Sequence, residues 1–313
     1  MKIKKYLSPL LLLLAAMIWG FAFAAQDAAS AVPAFTLGFG RSLLAVLFLI
    51  PAVAVLDRAM GTGRRLICRG GLDLNRTELI GGAVLGIILT AASALQQLGI
   101  NSGTDGGKAA FITALYVVLV PVYALALKKR APINVWISVA IAVVGFYLLC
   151  IEDGFTVVPS DMLVILCALV FPIHILVIDA LSPKCDGVRM SLVQFATCTV
   201  LNLLIALISE GESFSLLPLW HSALPVVFLG VGSSGIAYTL QILGQKGVNP
   251  AAASIILSLE SVFGVVGTAL FIGSTLSLRE YGGCLIVLVA VILSQLNLGK
   301  KENGKSIKEN SDS

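Results

Sequence analysis

Glu260 is the only charged side chain in AAASIILSLESVFGVVGTALFIG, residues 251–273. At about 1.5 Å per helical residue it lies roughly 13–15 Å from Ala251, near the middle of a hydrocarbon core about 30 Å thick. A carboxylate at that depth is expensive unless it borders water, finds a partner or carries a proton. Two chemistries suit it, namely exchange of a proton and capture of a substrate amine. The plain alternative is a protonated acid that ties one helix to the next. Gly264 and Gly267 share its helix face, which allows either open volume or close helix packing beside the carboxyl.

Other residues offer partners for such a site. Arg41, inside the second apolar run, is suited to pair with Glu260, to hold a substrate carboxylate through its planar fork, or to snorkel outward. Lys108 follows Gly106 and Gly107 where the fourth run begins. Free N–H groups and the positive helix end there attract an anion, and a surface anchor is the alternative. GGKAA is not a phosphate loop, since G-x-x-x-x-G-K-[ST] occurs nowhere, and ATP hydrolysis is not expected. Trp19, Tyr116 and Tyr238 fall within apolar runs, where their polar atoms need a partner or a wet wall. Pro121 is one of four prolines expected to bend helices, with Pro51, Pro172 and Pro225, and gating is assigned to it.

Polar residues also form stripes at helical spacing. The third run carries Gly82, Gly86, Thr90, Ser93 and Gln97 on one face, and the seventh carries Ser191, Gln194, Cys198 and Asn202. The eighth carries Gly230, Ser234, Tyr238 and Gln241. A wet substrate pathway is expected along them, with Gln97, Asn202 and Tyr238 as members, and interhelical glue is the alternative. His174 and His221 are the only histidines, and the six cysteines show neither C-x-x-C nor zinc spacing. No metal and no cofactor are therefore expected, and His174 reads as a satisfied buried imidazole.

These residues must be positioned by membrane helices. With 58% hydrophobic and 12% charged residues, against about 25% charged in soluble domains, the 313-residue chain is expected to be an all-α integral membrane protein. Ten spans are marked at 7–27, 34–56, 78–100, 108–127, 133–151, 161–181, 189–209, 221–243, 251–272 and 281–299. The basic N-terminus imitates a secretory leader, but the ten-span arrangement needs it as a retained span. With both termini inside, all of the 21 basic residues except Arg41, Lys108 and Arg279 fall in inner loops or termini, as the positive-inside rule requires. The tail KKENGKSIKENSDS is expected to be disordered.

Five spans per half invert the second half relative to the first. LQQLG at 95–99 echoes LQILG at 240–244, and LVPVYALAL at 119–127 echoes LESVFGVVG at 259–267, which sets Pro121 opposite Ser261. Two inverted five-helix repeats are thus expected, residues 1–152 and 153–299, followed by the tail 300–313, with a site between them at mid-depth.

Through WGFAF at 19–23, FGRSLLA at 39–45, KAAFITALYVVLVPV at 108–122, HILVIDALSP at 174–183 and SLESVFGVVGTAL at 258–270, the chain resembles the drug/metabolite transporter superfamily in its ten-span EamA-like form. The resemblance covers about residues 7–299. It implies export of amino acids, related metabolites or toxic compounds across the inner membrane of a bacterium, by alternating access. The chain departs from the family where members often carry an acid just after the fourth span and this one reads KKRAP at 128–132. The expected partners are a small-molecule substrate, the lipid bilayer and protons, with no nucleic acid and no nucleotide. The substrate and the direction of transport stay open at this point. A flippase for lipid-linked sugars is the competing reading. An enzyme is not expected, since clustered His, Asp or Glu at nucleophile or ligand spacing is missing.

Overall fold

The computed structural model describes residues 2–59, 64, 66–68, 71–129, 131–150, 158–211, 214–272 and 277–296. Among these, nine helices are long and apolar enough to cross a membrane, and the shorter Ile133–Cys150 completes ten spans. Spans 1, 2 and 3 are Lys2–Ala28, Ala34–Ala59 and Arg76–Asn101. Span 4 is Gly106–Ala114 followed by Tyr116–Ala126, with a turn at Leu115, and span 5 is Ile133–Cys150. Spans 6 and 7 are Asp161–Leu181 and Gly187–Ser209.

Span 8 is composite. Ala223–Val227 leads into a π-helical stretch, Phe228–Ala237, and then into Tyr238–Gly244. Span 9 is Pro250–Leu257 followed by Leu259–Ile272, with a turn at Ser258, and span 10 is Leu278–Gln295. The boundary between the expected repeats, near 152, and the tail 300–313 lie outside the described residues.

The helix contacts obey a pseudo-twofold exchange. Spans 2 and 7, 4 and 9, and 5 and 10 pack as mates, while the contacts of span 1 with 8 and 9 reappear as those of span 6 with 3 and 4. Two glycines show why the LQ-x-LG echo exists. A side chain at Gly99 would strike Val164 and the Ser160 carbonyl of span 6, and one at Gly244 would strike Leu12 and the Ser8 carbonyl of span 1. Each motif places a glycine where its span meets the first helix of the other half, because only a bare backbone allows that approach.

The correspondence runs on into spans 4 and 9 in a register shifted by one residue, because the second loop is one residue shorter. Gly103 and Gly247 adopt positive φ (106° and 78°), which glycine tolerates best. Asp105 and Asn249 follow as N-caps, and the helices begin at Gly106 and Pro250. In this register Tyr116 corresponds to Glu260, and Pro121 corresponds to Val265 rather than to Ser261. The short apolar match at 119–127 was out of step by a helical turn, since such runs align by composition at several offsets.

Charged residues gather at the ends of the bundle. On the face that carries the start of span 1, Arg189 donates to Asp57 of span 2 at 2.7 Å and to Asp186 at 2.9 Å. A small hairpin (Ile67–Cys68 paired with Gly71–Leu72) sits beside them. Arg64 bridges Asp73 at 3.1 Å and Glu78 at 3.0 Å, and Lys129 pairs with Asp179. On the far face Lys108 pairs with Asp161 at 2.5 Å. There Glu210 accepts from the backbone N–H groups of Phe35 and Thr36 at 2.7 and 3.1 Å, a carboxylate at the positive end of span 2.

Candidate functional site

A small cavity of about 40 Å³ lies at mid-depth between the halves, walled by spans 1, 2, 3, 4, 6, 8 and 9. Glu260 enters it just past the turn at Ser258, and Tyr116 enters just past the turn at Leu115. Both are buried, at 5% and 4% exposure. Tyr116 and Glu260 face the same cavity from the two halves, and Glu260 Oε1 has no hydrogen-bond partner. Ser261, next in the chain, donates to the Ala110 carbonyl at 3.3 Å and ties the two kinked spans together.

Arg41 enters from span 2, 9% exposed, among neutral oxygens only. Its Nε donates to Ser234 Oγ at 3.1 Å, Nη2 to Ser233 Oγ at 3.3 Å and Nη1 to Gln26 Oε1 at 3.3 Å. The π-helical stretch supplies both serines: its i→i+5 bonding gives a wider turn than an α-helix, and consecutive hydroxyls converge on one guanidinium. Trp19 Nε1 donates to the Ser233 carbonyl at 3.4 Å. Its ring meets Tyr238 edge-on with centroids 4.7 Å apart.

No carboxylate pairs with Arg41 and no cation pairs with Glu260 among the described residues. Buried charges are ordinarily matched. Here a cation and an acid share one cavity and leave each other unmatched, an arrangement that favours a ligand carrying both signs.

The structure brings Trp19, Arg41, Tyr116, Tyr238 and Glu260 together in the cavity and places four other expected residues elsewhere. Lys108 is engaged by Asp161 at the far face. Gln97 turns from the cavity to donate to Asn101 Oδ1 at 2.8 Å. Its neighbour Gln96 lines the cavity, as does Gln241, the matching residue of the echo. Asn202 donates to the Cys198 carbonyl at 2.8 Å and packs on Gly38, joining spans 2 and 7. Pro121 is buried in span 4 away from the cavity wall.

The stripes divide in the same way. Gly82 and Gly86 are packing surfaces against span 7, whereas Ser93, Tyr238 and Gln241 face the cavity. Gly264 and Gly267 are also packing residues, set against Gly20 and Phe21 of span 1. Gln26, Thr113 and Ser233 line the cavity and were not anticipated. The repeat echo points to Gln96, but nothing in the local sequence marks Gln26.

The chain belongs to the EamA-like transporter family, which matches residues 7–151 and 158–296. It is 27% identical over 302 residues to an uncharacterized transporter of Archaeoglobus fulgidus, with 95% of this chain and 88% of that protein covered. A crystal structure of another protein shares the fold with a TM-score of 0.71 at 15% identity, over 92% of this chain and 96% of that one. The protein is a multi-pass membrane transporter of the drug/metabolite type.

Proposed function

We propose that this EamA-like protein is a secondary exporter of small zwitterionic or amphipathic metabolites, amino acids among them, working by alternating access around the central cavity. Arg41 takes the substrate carboxylate through its planar fork, and Glu260 takes the amine or a proton in its place. Trp19 and Tyr238 supply an apolar wall for the body of the substrate, and Gln96 and Gln241 supply neutral hydrogen-bonding groups. The carrying observation is that Arg41 and Glu260 line one cavity unpaired with each other. The positive-inside distribution supports cytoplasmic termini. Pro121 keeps a bending role in span 4, away from the substrate.

Purified protein in liposomes loaded with a mixture of unlabelled amino acids tests the reading by counterflow of each labelled amino acid. Uptake above protein-free vesicles for at least one of them is expected, with loss in Arg41→Met. Flux of a lipid-linked sugar probe, with none for any amino acid, decides for the flippase instead.

A further inference from the structure

Below the cavity, towards the face that carries the start of span 1, a closed seam of polar side chains continues between spans 6, 7 and 8. Tyr238 of the cavity wall meets the His174 ring edge-on, with centroids 5.8 Å apart. His174 Nε2 bonds Gln194 Oε1 at 3.1 Å. One turn nearer the face, Thr239 donates to Ser191 Oγ at 2.7 Å. At the end stands Arg189, bonded to Asp57. His174, Gln194, Ser191 and Arg189 are each 0% exposed. His174 and Gln194 sit seven residues from Leu181 and Gly187, where their helices end at this face, a depth of about 10 Å.

Packing alone gives a poor account of this seam. His174 Nδ1, Gln194 Nε2 and Arg189 Nε are buried without partners, and an unsatisfied buried donor or acceptor forfeits its solvation with nothing in return. Such groups are retained where another state of the protein hydrates them. The repeat supplies the second observation. On the other side of the cavity Arg41 of span 2 donates to Gln26 of span 1. Under the pseudo-twofold spans 1 and 2 become 6 and 7, and the bond between spans 6 and 7 is that of His174 with Gln194.

We infer that the seam through His174, Gln194, Ser191 and Thr239 is the second half of the substrate pathway, closed in this conformer and sealed by the Asp57–Arg189 ion pair. Its lining is neutral and hydrogen-bonding, with the Arg189 cation and the Asp57 and Asp186 carboxylates at the exit, which suits a polar solute and excludes an apolar one. The inference rests on the transport reading above and deepens it. Opening requires spans 2 and 7 to part at one face, and these are mates across the pseudo-twofold.

Cysteine accessibility tests the seam without any substrate. In the full chain with its native cysteines replaced, in vesicles of single orientation, Ser191→Cys and the cavity residue Ser93→Cys are treated with a membrane-impermeant maleimide from either side. Ser191→Cys is expected to react only from the face bearing Asp57 and Arg189, and at least tenfold faster once Asp57→Asn breaks the ion pair. Thr239→Cys repeats the measurement at the other end of the same hydrogen bond if Ser191→Cys fails to fold. Absence of labelling at both positions, with and without Asp57→Asn, overturns the inference, and so does labelling of Ser191→Cys from the far face. Amino-acid flux alongside an unlabelled seam would preserve the transport reading and remove only this one.

Discussion

Arg41 and Glu260 border the same cavity but do not bond each other. Three neutral oxygens hold the guanidinium, while Glu260 Oε1 is left without a partner. Had the two closed on each other, the cavity would carry no unmatched charge and would offer a solute little beyond water. Their separation is what makes a dipolar ligand a better occupant than an apolar one.

Glu260→Gln keeps the shape of the side chain and removes both charge and exchangeable proton. Proton-driven accumulation in liposomes is expected to vanish, and the half-saturation for an amine-bearing substrate is expected to rise about tenfold or more, as for loss of a charged hydrogen bond worth about 1.5–3 kcal/mol. An unchanged melting temperature identifies the loss as functional. Undiminished proton-driven flux removes Glu260 from the mechanism.

Arg41→Lys retains the charge but not the fork that reaches Ser234, Ser233 and Gln26 together. Competition experiments in counterflow are expected to show about tenfold weaker binding of a carboxylate-bearing solute. Its carboxamide analogue is expected to change little. Equal weakening of both would mean that Arg41 supports the fold rather than the ligand.

Gly20 lies where spans 1 and 9 approach closely. A Cβ there would lie 2.5 Å from Phe263 Cβ and 2.7 Å from the Gly264 nitrogen. Gly20→Ala is expected to cost about 1–3 kcal/mol, as overpacking does, read as a lower melting temperature in detergent. Gly282→Ala, where nothing lies within 4 Å, serves as the neutral control.

At the hairpin, hydrogen bonding from Arg64 holds the Asp73 carboxyl below the usual aspartate range. A carboxyl depressed by folding contributes stability above its unfolded pKa and loses it as pH falls through the folded value. The hairpin is therefore expected to hold at neutral pH and to loosen only below about pH 4. In carbon-detected NMR Asp73 should titrate below a free aspartate, and Arg64→Gln should return it upward. A normal midpoint in the unmutated protein would show that the contact is not formed.

The ten spans were legible because hydropathy sets their length and basic loops set their alternation. Glu260 and Arg41 were legible because a charge inside oil is conspicuous. The ion-pair cluster at one face was not, since Arg64 and Arg189 counted only as basic loop residues, while Asp57 and Glu78 ended or began spans without remark. Pairing across 132 residues, as between Arg189 and Asp57, leaves no local pattern. The π-helical stretch of span 8 was equally hidden: FLGVGSSGIA reads as part of an ordinary apolar span, and only the fold shows two adjacent serines meeting one arginine. Gln97 was preferred to Gln96 because it continued a stripe, whereas the echo between LQQLG and LQILG marks the glutamine that both repeats share.

Tyr116 and Glu260 hold the same place in the two repeats and meet near the axis between them. A dimer of identical five-span chains would bring two copies of one residue together there: two acids would repel, and two phenols would offer no ionisable group near neutral pH. Fusion of the halves into one polypeptide lets the two positions diverge. The result is a lone acid facing a phenol, so that a cycle running through this pair moves at most one proton per turnover.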